Sequence, residues 1–224
     1  MKDDIGSRRK FIRNAALGAT FLSLPSLTQS QPSSKITPKK TVCVGGHPDD
    51  PETGCGGTLA KLAKAGHQVT IIYLTTGEAG IPGRSHSEAA ATRKQEAINA
   101  CRVLNANPVF AGQIDGDTNV NNDWLQKIRQ LITVEKPDIV FTHWPIDYHH
   151  DHQATSLLTI QAWMHTQERF LLYFFEVESG LQTSVFHPTD YVDISDTQEQ
   201  KRKAVFCHIS QGPTEIYKNG GHQI

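Results

Sequence analysis

The chain has 224 residues, 38% of them apolar and 20% charged, and a net charge of −1. That length suits one substantial domain rather than two large ones, and the apolar content excludes wholesale disorder. The charge is unevenly spread: eight Lys/Arg and two acidic residues up to Lys40, then 14 Lys/Arg against 21 Asp/Glu from Thr41 onward, so the body of the chain is acidic and argues against nucleic acid as a partner.

The first forty residues read as an address. "SRRKFIRNAALGATFLSLPSL" sets Arg8 and Arg9 before Lys10 and Phe11, then runs apolar from Ala15 to Leu27. It resembles the twin-arginine export signal. That resemblance implies a signal over residues 1–30, a Pro/Ser/Lys linker over 31–40, and a folded domain over 41–224 that works in the periplasm or outside the cell. The apolar run is about half of the ~20 residues a membrane-spanning helix needs, and Pro25 interrupts it, so no stable membrane span is expected.

From Thr41 short apolar runs alternate with amphipathic segments. "TVCVGG" predicts a strand. "TGCGGTLAKLAKAGH" predicts a helix, with Leu59, Leu62 and Ala63 at helical spacing and Gly66 at its end. "QVTIIYLTT" is a β-branched second strand of the kind buried on both faces. A Gly-rich loop, "GEAGIPGRSHS", leads into the helix "SEAAATRKQEAINACRVLNA". Then come a short strand in "NPVFAG", a helix in "NNDWLQKIRQLITVEKP", a strand in "DIVFTHW" and a helix in "QATSLLTIQAWMHTQ". "RFLLYFFEV" and "DYVDIS" predict later strands near an edge. This rhythm specifies an α/β fold, Rossmann-like, with a mostly parallel sheet and helices on both faces. Cys43, Cys55, Cys101 and Cys207 form no C-x-x-C pair, which disfavours a cysteine metal site. Cys43 and Cys101 read as buried thiols; spacing alone does not pair the four.

Two polar clusters break the pattern. "GGHPDD" follows the first strand and "HWPIDYHHDH" the fourth, and between them they hold five of the eleven histidines. Open parallel sheets bind ligands outside the carboxyl ends of their strands, so both clusters belong to one rim and one site. Imidazoles and a carboxylate suit zinc or another divalent ion with positions left open for water and substrate. His47 and Asp50 are three apart, as are His149 and His152, so two ligands from one turn pre-position each other and a third closes the site. Asp49 cannot share the geometry of its neighbour Asp50, which leaves it free as a general base.

The motifs His47-Pro48-Asp49-Asp50 and His149-His150-Asp151-His152 resemble those of the PIG-L (LmbE-like) family of metal-dependent N-deacetylases. Supporting stretches are "GCGGTLAKLAKAGH", "TTGEAG", Arg93 with Glu96, "DYHHDHQAT" and "HISQ", so the resemblance spans about residues 41–211. It implies His47, Asp50 and His152 as zinc ligands and Asp49 as the base that activates a metal-bound water. His149 would stabilise the oxyanion and Asp151 would orient a neighbouring histidine. Arg93 would either bind substrate hydroxyls or bridge to Glu96 along its helix. Two departures stand out. Pro51 replaces the family's Glu, with Glu52 displaced by one, although Pro suits a first helical turn. The chain also stops at "IYKNGGHQI", so a C-terminal element is expected to be missing.

The expected activity is removal of an N-acetyl group from an N-acetylglucosamine-type substrate. The alternatives are a zinc amidase or deacylase on a non-sugar amide, or a non-catalytic glycan- or metal-binding module. A nucleotide-binding Rossmann protein is disfavoured, because "VGGHPDD" lacks G-x-G-x-x-G. Sequence says nothing of the oligomeric state.

Overall fold

The computed structural model of the chain describes residues 39–167, 170–177 and 182–214, so the expected export signal and nearly all of the linker lie outside the described residues. Five strands form one sheet: β1 (Lys40–Gly45), β2 (Gln68–Tyr73), β3 (Asn107–Phe110), β4 (Ile139–His143) and β5 (Leu171–Phe175). Their spatial order is β3-β2-β1-β4-β5, and every adjacent pair is parallel. Among the described residues the helices are α1 (Asp50–Lys64), α2 (His86–Leu104), α3 (Asn122–Val134), α4 (His150–Met164) and α5 (Gln198–Val205), followed by a 3-10 turn at Ile209–Gln211.

The period-2 geometry of β1 divides the core. Cys43 faces a cluster with Leu59 and Ala60 of α1, Ala97 and Leu104 of α2, and Ala204 of α5. Its neighbours Val42 and Val44 face the opposite cluster, with Ile128 and Ile132 of α3 and Ala154 and Leu158 of α4. A strand buried on both faces must be apolar throughout, and all of β1 beyond Lys40 is buried. The order reverses at β1, which pairs with β2 on one side and β4 on the other; the crevice of such a sheet opens there, at the carboxyl ends of β1 and β4.

Two helices begin three residues earlier than apolar periodicity indicates. α1 starts at Asp50 with Pro51 in its first turn, and α4 starts at His150 with His149 as its N-cap. Both polar motifs therefore lie at helix N-termini, where the partial positive charge of the unpaired N–H groups favours carboxylates. By contrast, α2 starts at a capping box between Ser85 and Glu88, a signal visible in sequence.

The strand expected in "DYVDIS" is not present. Residues 190–194 are irregular and a turn follows. Asp193 accepts hydrogen bonds from the N–H and hydroxyl of Ser195, and the Asp193 carbonyl accepts one from Lys61. Local side-chain bonds of this kind compete with a strand ladder, and the segment lies against α1 instead of joining the sheet. Cys43 and Cys101 are buried free thiols; Cys43 Sγ lies 3.5 Å from Cys55 Sγ, and the four cysteines form no disulfide. Among the described residues no helix is long and apolar enough to cross a membrane.

Candidate active site

β1 delivers the chain into the turn Gly46–Asp49, and α1 takes it away. Gly46 is confined: a Cβ there would stand 3.0 Å from the His152 ring and 3.2 Å from Asp50 Oδ2. Its N–H donates to Nε2 of the buried His143 at 3.0 Å, tying the end of β1 to the end of β4. Asp49 takes φ 108°, a region that few side chains other than those of Asn and Asp tolerate.

Three side chains converge. His47 Nδ1 and His152 Nε2 lie 3.1 Å and 3.2 Å from the same oxygen, Asp50 Oδ2. The far nitrogen of each ring faces a carboxylate: His47 Nε2 is 2.9 Å from Asp151 Oδ2 and 3.2 Å from Asp115 Oδ1, and His152 Nδ1 is 3.1 Å from Asp147 Oδ2. Carboxylates at the outer nitrogens hold the ring protons there and aim both inner lone pairs at Asp50, the arrangement in which histidines bind a metal. His47, Asp50 and His152 can place one ligand atom each within 4.8 Å of one another. Two lone pairs and a carboxylate oxygen in such proximity repel unless a cation lies among them, so the donor set fits a divalent ion.

The electrostatics agree. Burial alone would lower the pKa of His152, but Asp50 and Asp147 overcome it and push it up to about 9. His47 is raised likewise, against burial, by Asp50, Asp115 and Asp151. Asp50, which burial would raise, is held well below the usual carboxylate range by His152, His47 and His143.

Asp49 stands outside this convergence. Its Oδ1 lies 3.2 Å from Arg93 Nη2, and burial pushes its carboxyl up to about 6 against the pull of that guanidinium. His149 packs edge-on to His47, with ring centroids 4.7 Å apart. Its Nδ1 accepts the Asp151 N–H at 3.3 Å, which assigns its proton to Nε2. Burial, with His47 and His152 nearby, lowers its pKa, so the ring is neutral near pH 7. Asp151 is fully buried: Oδ1 accepts from Thr118 Oγ1 and Oδ2 from the Gly116 N–H, and with His47 they hold its pKa far down although burial opposes this. A cavity of about 470 Å³ is lined by His47, Asp49, Asp50, Arg93, His149 and His152, with Asp115, Gln182 and Gln211 in its walls.

Of the candidate site residues, His47, Asp49, Asp50, Arg93, His149 and His152 thus line one cavity, and Asp151 lies behind it against His47. The Arg93–Glu96 bridge, one of two readings of Arg93, is not formed. Glu96 instead accepts from the N–H and hydroxyl of Ser210, which docks the "HISQ" segment onto α2. Sequence reasoning missed Asp115, Asp147 and His143. Asp147 and His143 stand inside the quoted second motif, and Asp115 follows β3 on the same rim, which was the available signal.

Residues 42–163 match the PIG-L family, described as GlcNAc-PI de-N-acetylase. The diacetylchitobiose deacetylase of Thermococcus kodakarensis is 31% identical over 195 residues, spanning 80% of this chain and 73% of the relative. The uncharacterized deacetylase YaiS of Escherichia coli is 32% identical over 130 residues, spanning 54% of this chain and 66% of its own. Among solved structures, the N,N'-diacetylchitobiose deacetylase from Pyrococcus horikoshii, crystallised with an inhibitor, has a TM-score of 0.72 at 27% identity and covers 81% of this chain and 74% of that one. The family match runs through both polar motifs and the strands that carry them: the chain belongs to the PIG-L family and is a hydrolase of the deacetylase class, acting on amide bonds.

Proposed function

We propose that the protein is a zinc-dependent hydrolase that removes an N-acetyl group from an N-acetylglucosamine-type sugar. The observation that carries this reading is the convergence of His47 Nδ1, His152 Nε2 and Asp50 Oδ2 in a cavity that Asp49 also lines. A zinc ion held by these three would supply a Lewis acid for the amide carbonyl and would acidify a water molecule. Asp49 takes the proton of the attacking water. Its raised pKa of about 6 suits a carboxylate that is ionised at neutrality and still accepts a proton readily. His149, neutral and protonated at Nε2, donates toward the oxygen on which negative charge develops. The C–N bond then breaks, and Asp49 returns its proton to the leaving nitrogen, so acetate and a free amine result.

The sugar is supported by the names of the relatives, since diacetylchitobiose and GlcNAc-PI are both N-acetylglucosamine compounds. Export along the twin-arginine route belongs to the same proposal and is supported by the Arg8–Arg9 pair before an apolar run interrupted by Pro25. The test is amine release by the zinc-loaded protein from a panel of N-acetylglucosaminides and non-sugar acetamides. Release from the sugars supports the reading, and release from non-sugar amides alone makes the protein a different amidase. Stoichiometric zinc with no amine from any panel member would place the substrate outside both classes.

A further inference from the structure

Arg93 lies midway along α2 and is 4% exposed. Its guanidinium crosses to the turn that precedes α1. Nη2 donates to the Pro48 carbonyl at 2.5 Å and lies 3.2 Å from Asp49 Oδ1, while Nη1 donates to the Gly77 carbonyl at 3.3 Å. Its Nε is buried and has no hydrogen-bond partner among the described residues. The loop after β2 is shaped around it, since a Cβ on Gly77 or on Gly80 would collide with Nη1. One guanidinium thus grips both the peptide before Asp49 and the Asp49 carboxylate, at a residue whose φ of 108° persists only where its surroundings enforce it.

We propose that Arg93 is a positioning residue that acts on the reaction through Asp49, holding the strained turn and aiming its carboxylate into the cavity. A role in binding substrate hydroxyls would be a different one. The inference rests on the reading of Asp49 as the base. A planar fork suits the task, because Nη2 meets the Pro48 carbonyl and the Asp49 carboxylate while Nη1, held at a fixed angle to it, reaches the Gly77 carbonyl of the facing loop.

The two roles separate in the kinetics. A group that binds substrate equally in ground and transition states is felt in KM, and one that aims the base is felt in kcat. Arg93→Ala is expected to lower kcat about 10²-fold, the scale of a small misplacement of a catalytic group, with KM changed less than about twofold. Metal content should stay stoichiometric. In an Asp49→Asn background the same substitution should cost less than about threefold, because no base remains to be aimed. A raised KM with kcat kept, or the same loss in both backgrounds, overturns the inference. Gly80→Ala serves if Arg93→Ala does not fold: its methyl displaces the guanidinium without deleting it and should lower kcat in the same way, and unchanged kcat would overturn the inference.

A readout independent of turnover is urea unfolding of the metal-free protein. The Arg93→Ala and Asp49→Asn effects should be non-additive if the pair exists, and additive effects overturn it. A wild-type protein that releases no amine, yet shows this coupling, would instead defeat the reading of Asp49 as the base.

Discussion

Asp147 Oδ2 lies 3.1 Å from His152 Nδ1, and Asp147 Oδ1 accepts the N–H of His149 at 2.8 Å. One carboxylate thus orients a candidate ligand and anchors the N-cap of α4 from which His149 reaches the cavity. Partners of this kind fix the tautomer and direction of a ligating imidazole and raise its basicity. Asp147→Ala should therefore weaken zinc binding about 10- to 100-fold, with the fold retained. Chelator competition measures this, and an unchanged affinity would reduce Asp147 to a cap.

Removal of a ligand itself should cost more. His47→Ala, Asp50→Ala and His152→Ala each delete one of the three groups that converge at 3.1–3.2 Å. Each purified variant should carry less than stoichiometric zinc after dialysis. Full zinc retained in all three would place the metal elsewhere.

Behind the site, Tyr73 donates its hydroxyl to Oε1 of the fully buried Glu52 at 2.6 Å, and His208 Nε2 stands 3.4 Å from the same oxygen. Glu52 Oε2 has no hydrogen-bond partner among the described residues. Tyr73→Phe leaves that carboxylate poorer still, at a cost of about 1–3 kcal/mol, read as a lower urea midpoint with an unchanged slope. Burial would lower the His208 pKa, but the attraction of Glu52 raises it. A raised folded-state pKa stabilises fully below the unfolded value of about 6.5, and that contribution fades as pH rises through the folded value. His208→Gln should therefore cost most stability below about pH 6.5 and less in alkali; a pH-independent cost would show that the ring is not charged.

The fold was legible because β1 and β2 are buried on both faces and read as apolar runs that alternate with helix-period segments. The two motifs were legible because each is contiguous and follows a strand end. Asp115 was not, since one aspartate in a polar loop has no local period and meets His47 only once β3 is placed beside β2. The length of α4 was hidden for a related reason: His150, Asp151 and His152 form its first turn but carry no apolar stripe. "DYVDIS" misled because alternation signals a strand only if a neighbour is there to pair, and Asp193 ties the segment into a turn.

The export reading has its own test. A receptor that reads the Arg8–Arg9 guanidinium pair is poorly served by lysine, so Arg8→Lys with Arg9→Lys should hold the full chain in the cytoplasm. Fractionation of producing cells decides it, and delivery of the double variant at the wild-type level would remove the twin-arginine route.

The role of Asp49 can be isolated, because a ligand, a base and a turn residue fail differently when the charge is removed. Asp49→Asn keeps size and shape, and Asn tolerates a positive φ as well as Asp does, so the turn at φ 108° should survive. Zinc should remain, since His47, Asp50 and His152 are untouched. An amide cannot take a proton from water, so turnover should fall by about 10²–10⁴, the usual range for loss of a general base. Stability should drop as well, because Arg93 Nη2 loses its carboxylate 3.2 Å away and stays buried. Zinc content, amine release and urea midpoint are therefore measured on one preparation. Full zinc with collapsed turnover identifies the base, and lost zinc would make Asp49 a ligand. Full zinc with wild-type turnover would leave Asp49 a turn residue and require another group to take the proton.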